Sequence, residues 1–218
     1  TGAFKVVLPN ESVMTRVTIG ARLHVGFQNL SLARDRLYGG IGLATDEPRI
    51  VLEAEQSGSL KCSVDAVEAY ARRAIEVLDV PGAVITLEQC YERHVGLGSG
   101  ARLALATLVA IARAYDRDPS VSSLAPALGR GGRSGVGIAT FLQGGFVLDG
   151  GHPTERFTHD PPETGSWSTP PVLARHPIPE SWRFVLVRPD SEVGQSGSYE
   201  DASMRAIVER ADPGIADE

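Results

Sequence analysis

The sequence predicts a two-layer α+β domain, and three observations carry that reading. Strand and helix segments follow one another in a mixed order rather than in strict alternation, which favours two layers over a doubly wound parallel sheet. The stretch RVTIGARLHVGFQ alternates apolar and polar residues with a period of two, as a strand with one buried face requires. SGARLALATLVAIARAY, at 99–115, is apolar on nearly every side and calls for a helix covered from several directions.

The remaining elements follow in order. In the first strand Val17, Ile19, Ala21, Leu23, Val25 and Phe27 face the core, which puts Arg22 and His24 together on the polar face. GGIGLATDEPRIVLEAE reads as two short strands broken at Asp46-Glu47-Pro48, because proline cannot donate to a ladder. VDAVEAYARRAIEVLDV, at 64–80, has helical spacing and stops before Pro81-Gly82, and AVITLEQCYE, at 83–92, returns as a strand. After the buried helix come a short helix, a glycine-rich break at 129–132 and another helix beginning near Ser134. GGFVLDGG is a short strand, 151–171 a long surface loop, WRFVLVRPD (182–190) a last strand, and a final helix starts after Ser198. Met14 looks like a natural start, so the chain divides into an extension at 1–13, a first domain at 14–178 and the beginning of a second, incomplete one at 179–218.

Composition narrows the functions. A net charge of −6 argues against a nucleic-acid surface, and no run approaches the length of a membrane span, so a cytoplasmic protein is expected with neither nucleic acid nor membrane as partner. Cys62 and Cys90 are far apart and lack metal-finger spacing, which leaves two reduced thiols. Lys5 and Lys61 are the only lysines, so nearly all of the 21 basic residues are arginine. Arginine grips phosphate and carboxylate bidentately, whereas a kinase usually places a lysine on the transferred phosphate.

Two glycine-rich segments carry the candidate site. HVGLGSGARLALA, at 94–106, runs from a glycine turn into the buried helix, an arrangement that aims unpaired N–H groups and the helix dipole at one point and suits phosphate. Gly96, Gly98 and Gly100 let the backbone come close to a ligand, and Ser99 can donate a hydroxyl; a tight turn beneath a packed helix would use the same residues. GRGGRSGVGIATF, at 129–141, repeats the design with Ser134 at the expected N-cap and Arg130 and Arg133 beside it, which fits a ligand with more than one phosphate.

ERHVGLGSGARLALA resembles the phosphate-loop motif of the GHMP superfamily of small-molecule kinases, usually Pro-x-x-x-Gly-Leu-Gly-Ser-Ser-Ala. Here Gly100 replaces the second serine and the proline is absent. Together with ARLHVGFQNL, LYGGIGLATDEPR and GRGGRSGVGIATFLQGGFVLDGGH, it resembles the β-ribofuranosylaminobenzene 5′-phosphate synthase branch, an enzyme family of methanopterin biosynthesis in archaea and methylotrophs. The resemblance implies the two-layer GHMP-kinase N-terminal fold, also called ribosomal protein S5 domain 2-like, with the C-terminal subdomain missing or truncated. It also implies a transferase that condenses phosphoribosyl pyrophosphate with 4-aminobenzoate, releases CO2 and pyrophosphate, and is assisted by Mg²⁺. On that view Gly96, Gly98, Ser99 and Gly100 hold pyrophosphate, and Arg130, Arg133 and Ser134 hold a second phosphate group. Arg22 and His24 meet the aromatic carboxylate or the 5′-phosphate, unless they only belong to an exposed strand face. His94 is either a proton acceptor or a partner for a backbone carbonyl, and Asp46 and Glu47 either hold Mg²⁺ or form a turn.

Two other functions stay open at this level: an ATP-dependent GHMP-type kinase, and a non-catalytic phosphate-binding relic. The family continues beyond this chain, so uncovered apolar surface is expected near 182–188 and on part of the helix at 99–115, with a homodimer formed through that face, aggregation, or a chain that is a fragment of a longer protein.

Overall fold

A computed structural model describes residues 3–7, 14–158, 162–187, 202–203 and 206–207. Its centre is a hairpin of two long strands, β2 (Thr15–Asn29) and β3 (Arg36–Gln56), paired antiparallel from Thr15 opposite Ala54 to Asn29 opposite Tyr38. On the outer side of β2 lies β1 (Lys5–Val7), so part of the segment read as an upstream extension is a strand of the sheet. Phe4 stacks on Phe141 at 4.7 Å and fastens it there.

β3 is long because different strands cover its two halves. Residues 51–56 pair with β5 (Ala83–Gln89), and Ile41–Leu43 pair with β6 (Phe146–Asp149). β4 (Lys61–Cys62) extends the sheet beside β5 in parallel, and β7 (His152–Pro153) closes on the start of β3. The break expected at Asp46-Glu47-Pro48 is instead a bulge within one continuous strand: Gly20 pairs with Arg49 and Arg22 with Ala44, so residues 45–48 leave the ladder without ending it. Proline's missing N–H costs nothing at residues that are out of register.

A second register shift, between His24 and Gly26, ends the simple alternation of β2. Val17, Ile19 and Ala21 are buried as the period requires, but Val25 is 67% exposed, because an extra residue in one strand turns the following side chains to the other face.

Helices pack on one face. α1 (Glu68–Leu78) ends at Asp79 in a left-handed cap. α2 (Ser99–Ala114) is buried continuously from Arg102 to Ala112, lying against α1, β2, β3 and the later α4. Its many alanines let backbones approach from several sides, and the partners leave no face of it bare, contrary to the uncovered surface expected from the length of the chain. α3 (Val121–Leu124) is a short turn, and α4 (Val136–Gln143) carries Ile138 and Phe141 into the same core.

Beyond β6 the sequence reading is less accurate. β8 (Val172–His176) pairs antiparallel with β6 where no strand is expected. Residues 182–187, read as a strand, have no regular structure, and Trp182, Val185 and Val187 are exposed. Without a ladder neighbour the alternation of WRFVLV is not enough to make a strand. Residues 188–190 lie outside the described residues, as does the helix expected after Ser198 apart from 202–203 and 206–207, which are helical. Among the described residues no helix is long and apolar enough to cross a membrane.

Candidate functional site

The glycine loop enters α2 with little side-chain help. Gly98 is the N-cap, with φ of 71° in the left-handed region, and no side chain caps the helix. Glycine takes that conformation without penalty, and the first N–H groups of the helix, those of Ser99, Gly100 and Ala101, have no intrahelical acceptor. From the strand side, the backbone N–H of Arg22 donates to the Leu97 carbonyl at 3.1 Å, and the Tyr91 hydroxyl donates to the same oxygen at 3.1 Å. Burial pushes the Tyr91 hydroxyl up to about 12, so it remains a donor throughout the neutral range. The Arg22 side chain lies across Gly98, where an added Cβ would stand 3.0 Å from its Cγ and 3.1 Å from its Cζ.

Six of the residues singled out in the sequence, Arg22, His24, Gly96, Arg130, Arg133 and Ser134, line one cleft of about 550 Å³. Phe27, Leu105, Ile138 and Trp167 line it as well, so cationic side chains share the cleft with aromatic and aliphatic ones. The His24 ring packs against Phe27 with centroids 4.7 Å apart. Gly98, Ser99 and Gly100 lie in the chain between two lining residues, Gly96 and Ala101, and Ser99 is buried.

The second glycine segment is built differently from its sequence reading. The N-terminus of α4 is occupied by the chain's own carboxylate: Asp149, fully buried, accepts from the Gly135 N–H at 2.8 Å and the Val136 N–H at 3.2 Å. The same side chain takes the Ser134 hydroxyl at 2.8 Å and the Gly151 N–H at 2.8 Å. Ser134 therefore braces the loop instead of presenting a hydroxyl to an anion, and a carboxylate already neutralises that helix dipole. What the segment offers the cleft is its arginines. The loop is fixed from behind by Trp167 Nε1, donating to the Arg130 carbonyl at 2.9 Å, and by the His152 ring, 2.7 Å from the Gly131 carbonyl. His152 is stacked on Phe157 at 3.7 Å, and burial lowers its pKa, which favours the neutral ring.

Two expectations do not join the cleft. His94 sits on an exposed turn with φ of 61° and is not among the lining residues. Asp46 and Glu47 belong to the β3 bulge; Glu47 pairs with Arg49, and Asp46 borders a separate hollow with Lys5, Thr18 and Gly20. No group of three or more His, Cys, Asp or Glu among the described residues is arranged to hold a metal, and the cleft lining contains no carboxylate. The donor set does not fit a Mg²⁺ ion held by protein carboxylates, which are its usual anchors.

Sequence reasoning missed Arg102, Asp149, His152 and Trp167. Arg102 is fully buried beneath the cleft floor, donating to the carbonyls of Gly137 at 3.2 Å and Ala21 at 3.4 Å and to the Thr140 hydroxyl at 3.0 Å. Burial pulls its pKa down to about 9, with no carboxylate beside it, so it remains a cation at neutral pH and adds to the positive field. A charged residue within an alanine–leucine helix was the available signal.

Residues 61–145 match a family described as GHMP kinases N terminal domain. Over that segment the chain is similar to the GHMP kinase N-terminal domain. It is similar to the Beta-ribofuranosylphenol 5′-phosphate synthase of Methanothermobacter thermautotrophicus, at 32% identity over 83% of this chain and 59% of that protein. The namesake from Archaeoglobus fulgidus is 35% identical over 81% of this chain and 58% of its own length. The chain thus spans less than two thirds of these curated relatives. Among solved structures, the Streptococcus pneumoniae phosphomevalonate kinase superposes with a TM-score of 0.50 at 15% identity, covering 65% of this chain and 49% of the kinase, which supports the GHMP fold.

Proposed function

We propose that this GHMP domain belongs to a phosphoribosyl transferase that joins phosphoribosyl pyrophosphate to a 4-substituted benzoate with loss of CO2 and pyrophosphate. The observation that carries the reading is the cleft lining: three arginines and aromatic side chains beside the start of α2, and neither lysine nor carboxylate among them. Cleavage of the anomeric C–O bond sends negative charge onto pyrophosphate, which Arg22, Arg130, Arg133 and the α2 N–H groups would receive. The ring carbon bearing the carboxylate attacks the anomeric carbon. The bond from ring to carboxylate then breaks, and its electron pair restores the aromatic ring. Nothing in that sequence requires a proton to be abstracted, so a lining without carboxylate or lysine suits it, and His24 with Phe27 would pack against the aromatic acid rather than relay a proton.

The name of the relatives specifies a phenol, whereas the sequence motifs resemble a branch whose product is an aminobenzene. Decarboxylative substitution of 4-hydroxybenzoate gives the first and of 4-aminobenzoate the second, and either substituent feeds electrons to the attacking carbon. Mg²⁺ in this scheme accompanies the diphosphate, as it commonly does with phosphate substrates, and is not anchored by Asp46 and Glu47. A kinase needs a residue to orient or deprotonate the accepting hydroxyl, and the cleft lining supplies no aspartate, glutamate or lysine for that role. The test is release of labelled CO2 from each carboxyl-labelled acid with phosphoribosyl pyrophosphate. Release with either acid supports the reading, and ATP consumption in place of it refutes the reading.

A further inference from the structure

Beside α2, on α1, one tyrosine is held by two arginines. The ring of Tyr70, on α1, has the Arg93 guanidinium 5.9 Å from its centroid and the Arg130 guanidinium at 5.6 Å. Arg93 Nη2 donates to the Tyr70 hydroxyl oxygen at 3.1 Å. A guanidinium has donors and no acceptor, so neither arginine can receive the hydroxyl's own hydrogen. Arg130 is also a lining residue of the cleft, which ties this cluster to the candidate site.

The position of that hydroxyl gives Gly100 a meaning. A Cβ added at Gly100 would meet one group within 4 Å, the Tyr70 hydroxyl at 3.2 Å. That separation is tighter than most Cβ contacts, so a side chain at 100 and a hydroxyl at 70 compete for the same space beside the second residue of α2. Two donor-only arginines orient the hydroxyl with its oxygen as acceptor, and the nearby unpaired N–H groups of the helix are donors as well. The hydroxyl's partner among the described residues is thus a donor, and its own hydrogen faces solvent or a ligand that brings an acceptor. An anionic ligand oxygen supplies it.

Resting on the anion-binding reading of the cleft, we infer that Tyr70 is a ligand-binding residue that donates a hydrogen bond to a diphosphate oxygen at the N-terminus of α2, with Gly100 as the residue that makes room for it. Arg93 orients the hydroxyl and reaches the ligand only through it.

The experiment is a calorimetric titration of pyrophosphate, and separately of phosphoribosyl pyrophosphate, into the 218-residue chain and three variants, with thermal unfolding measured on each. Tyr70→Phe keeps the ring and both stacked arginines while removing the hydroxyl, so affinity should fall about tenfold or more, the loss expected for a charge-assisted hydrogen bond. Its unfolding midpoint should hardly move. Gly100→Ser should also weaken binding, because the new side chain presses on the Tyr70 hydroxyl. In Tyr70→Phe with Gly100→Ser, the serine hydroxyl occupies the vacated space and affinity should return at least in part. Tyr70→Phe binding with parental affinity, or a double variant no better than the worse single one, overturns the inference. If the parent chain binds neither ligand, the anion reading itself fails, and that result is distinguishable because it needs no variant.

Discussion

Replacing Asp149 by alanine should remove the internal clamp that fixes the second glycine segment. The carboxylate has no solvent exposure and accepts four hydrogen bonds: from the Ser134 hydroxyl and from the N–H groups of Gly135, Val136 and Gly151. Loss of the two helix contacts is equivalent to losing an N-cap, about 1–2 kcal/mol. The serine hydroxyl and the Gly151 N–H, stranded without an acceptor, add roughly 1–3 kcal/mol more. A total of about 2–5 kcal/mol is a large share of a domain's stability and corresponds to a fall in Tm of roughly 10 °C for a chain of this size. Urea titration followed by circular dichroism measures it, with Asp149→Asn expected to lose less because its amide oxygen still accepts. Hydrogen exchange should accelerate first at Gly135 and Val136. A stability loss below about 1 kcal/mol for Asp149→Ala would refute the reasoning, since three buried N–H groups and a half-buried hydroxyl cannot lose this acceptor at so small a cost.

Further outcomes follow from the same geometry. His152 is favoured neutral by burial, so the folded form binds its proton less readily than the unfolded chain does. The stability it contributes is complete above its unfolded pKa of about 6.5 and is lost as pH falls from there through the folded value. His152→Gln should flatten that part of the stability curve, measured by urea titration between about pH 7 and 5; an unchanged slope contradicts the assignment. Gly98→Val should abolish pyrophosphate binding in calorimetry, because its Cβ would displace Arg22, and it should also destabilise the chain by about 1–2 kcal/mol through the left-handed φ. Trp167→Phe removes the donor to the Arg130 carbonyl, and should cost about 1 kcal/mol in stability and weaken diphosphate binding.

Where the sequence was legible, local pattern and tertiary demand agreed. The glycine turn into an all-round apolar helix identified α2 and its open N-terminus, because burial on every side leaves a composition that few other settings produce. Arg22 and His24 reached the same cleft because no bulge falls between them, although bulges lie on both sides. Failures came where distant partners decide. β8 exists because β6 offers it an edge, and nothing in VLARH announces that. The repeated glycine–serine design at 129–134 looked like a second anion site, but a carboxylate arriving from β6 fills the helix end, and a one-dimensional motif cannot reveal what docks on it. Tyr70 was hidden for the same reason, being 30 residues before Gly100, the residue of α2 it approaches.

On the proposed function, the arginine-lined cleft takes a pyrophosphorylated sugar rather than ATP. Competitive calorimetry on this chain tests it most directly, with phosphoribosyl pyrophosphate titrated in the presence and absence of excess ATP, for the parent and for Arg22→Ala. Saturable binding of phosphoribosyl pyrophosphate is expected, left nearly unchanged by ATP and weakened at least tenfold by Arg22→Ala, the loss of one charge-assisted contact. Tight binding of ATP that displaces phosphoribosyl pyrophosphate would contradict it and return the domain to the kinases whose fold it shares.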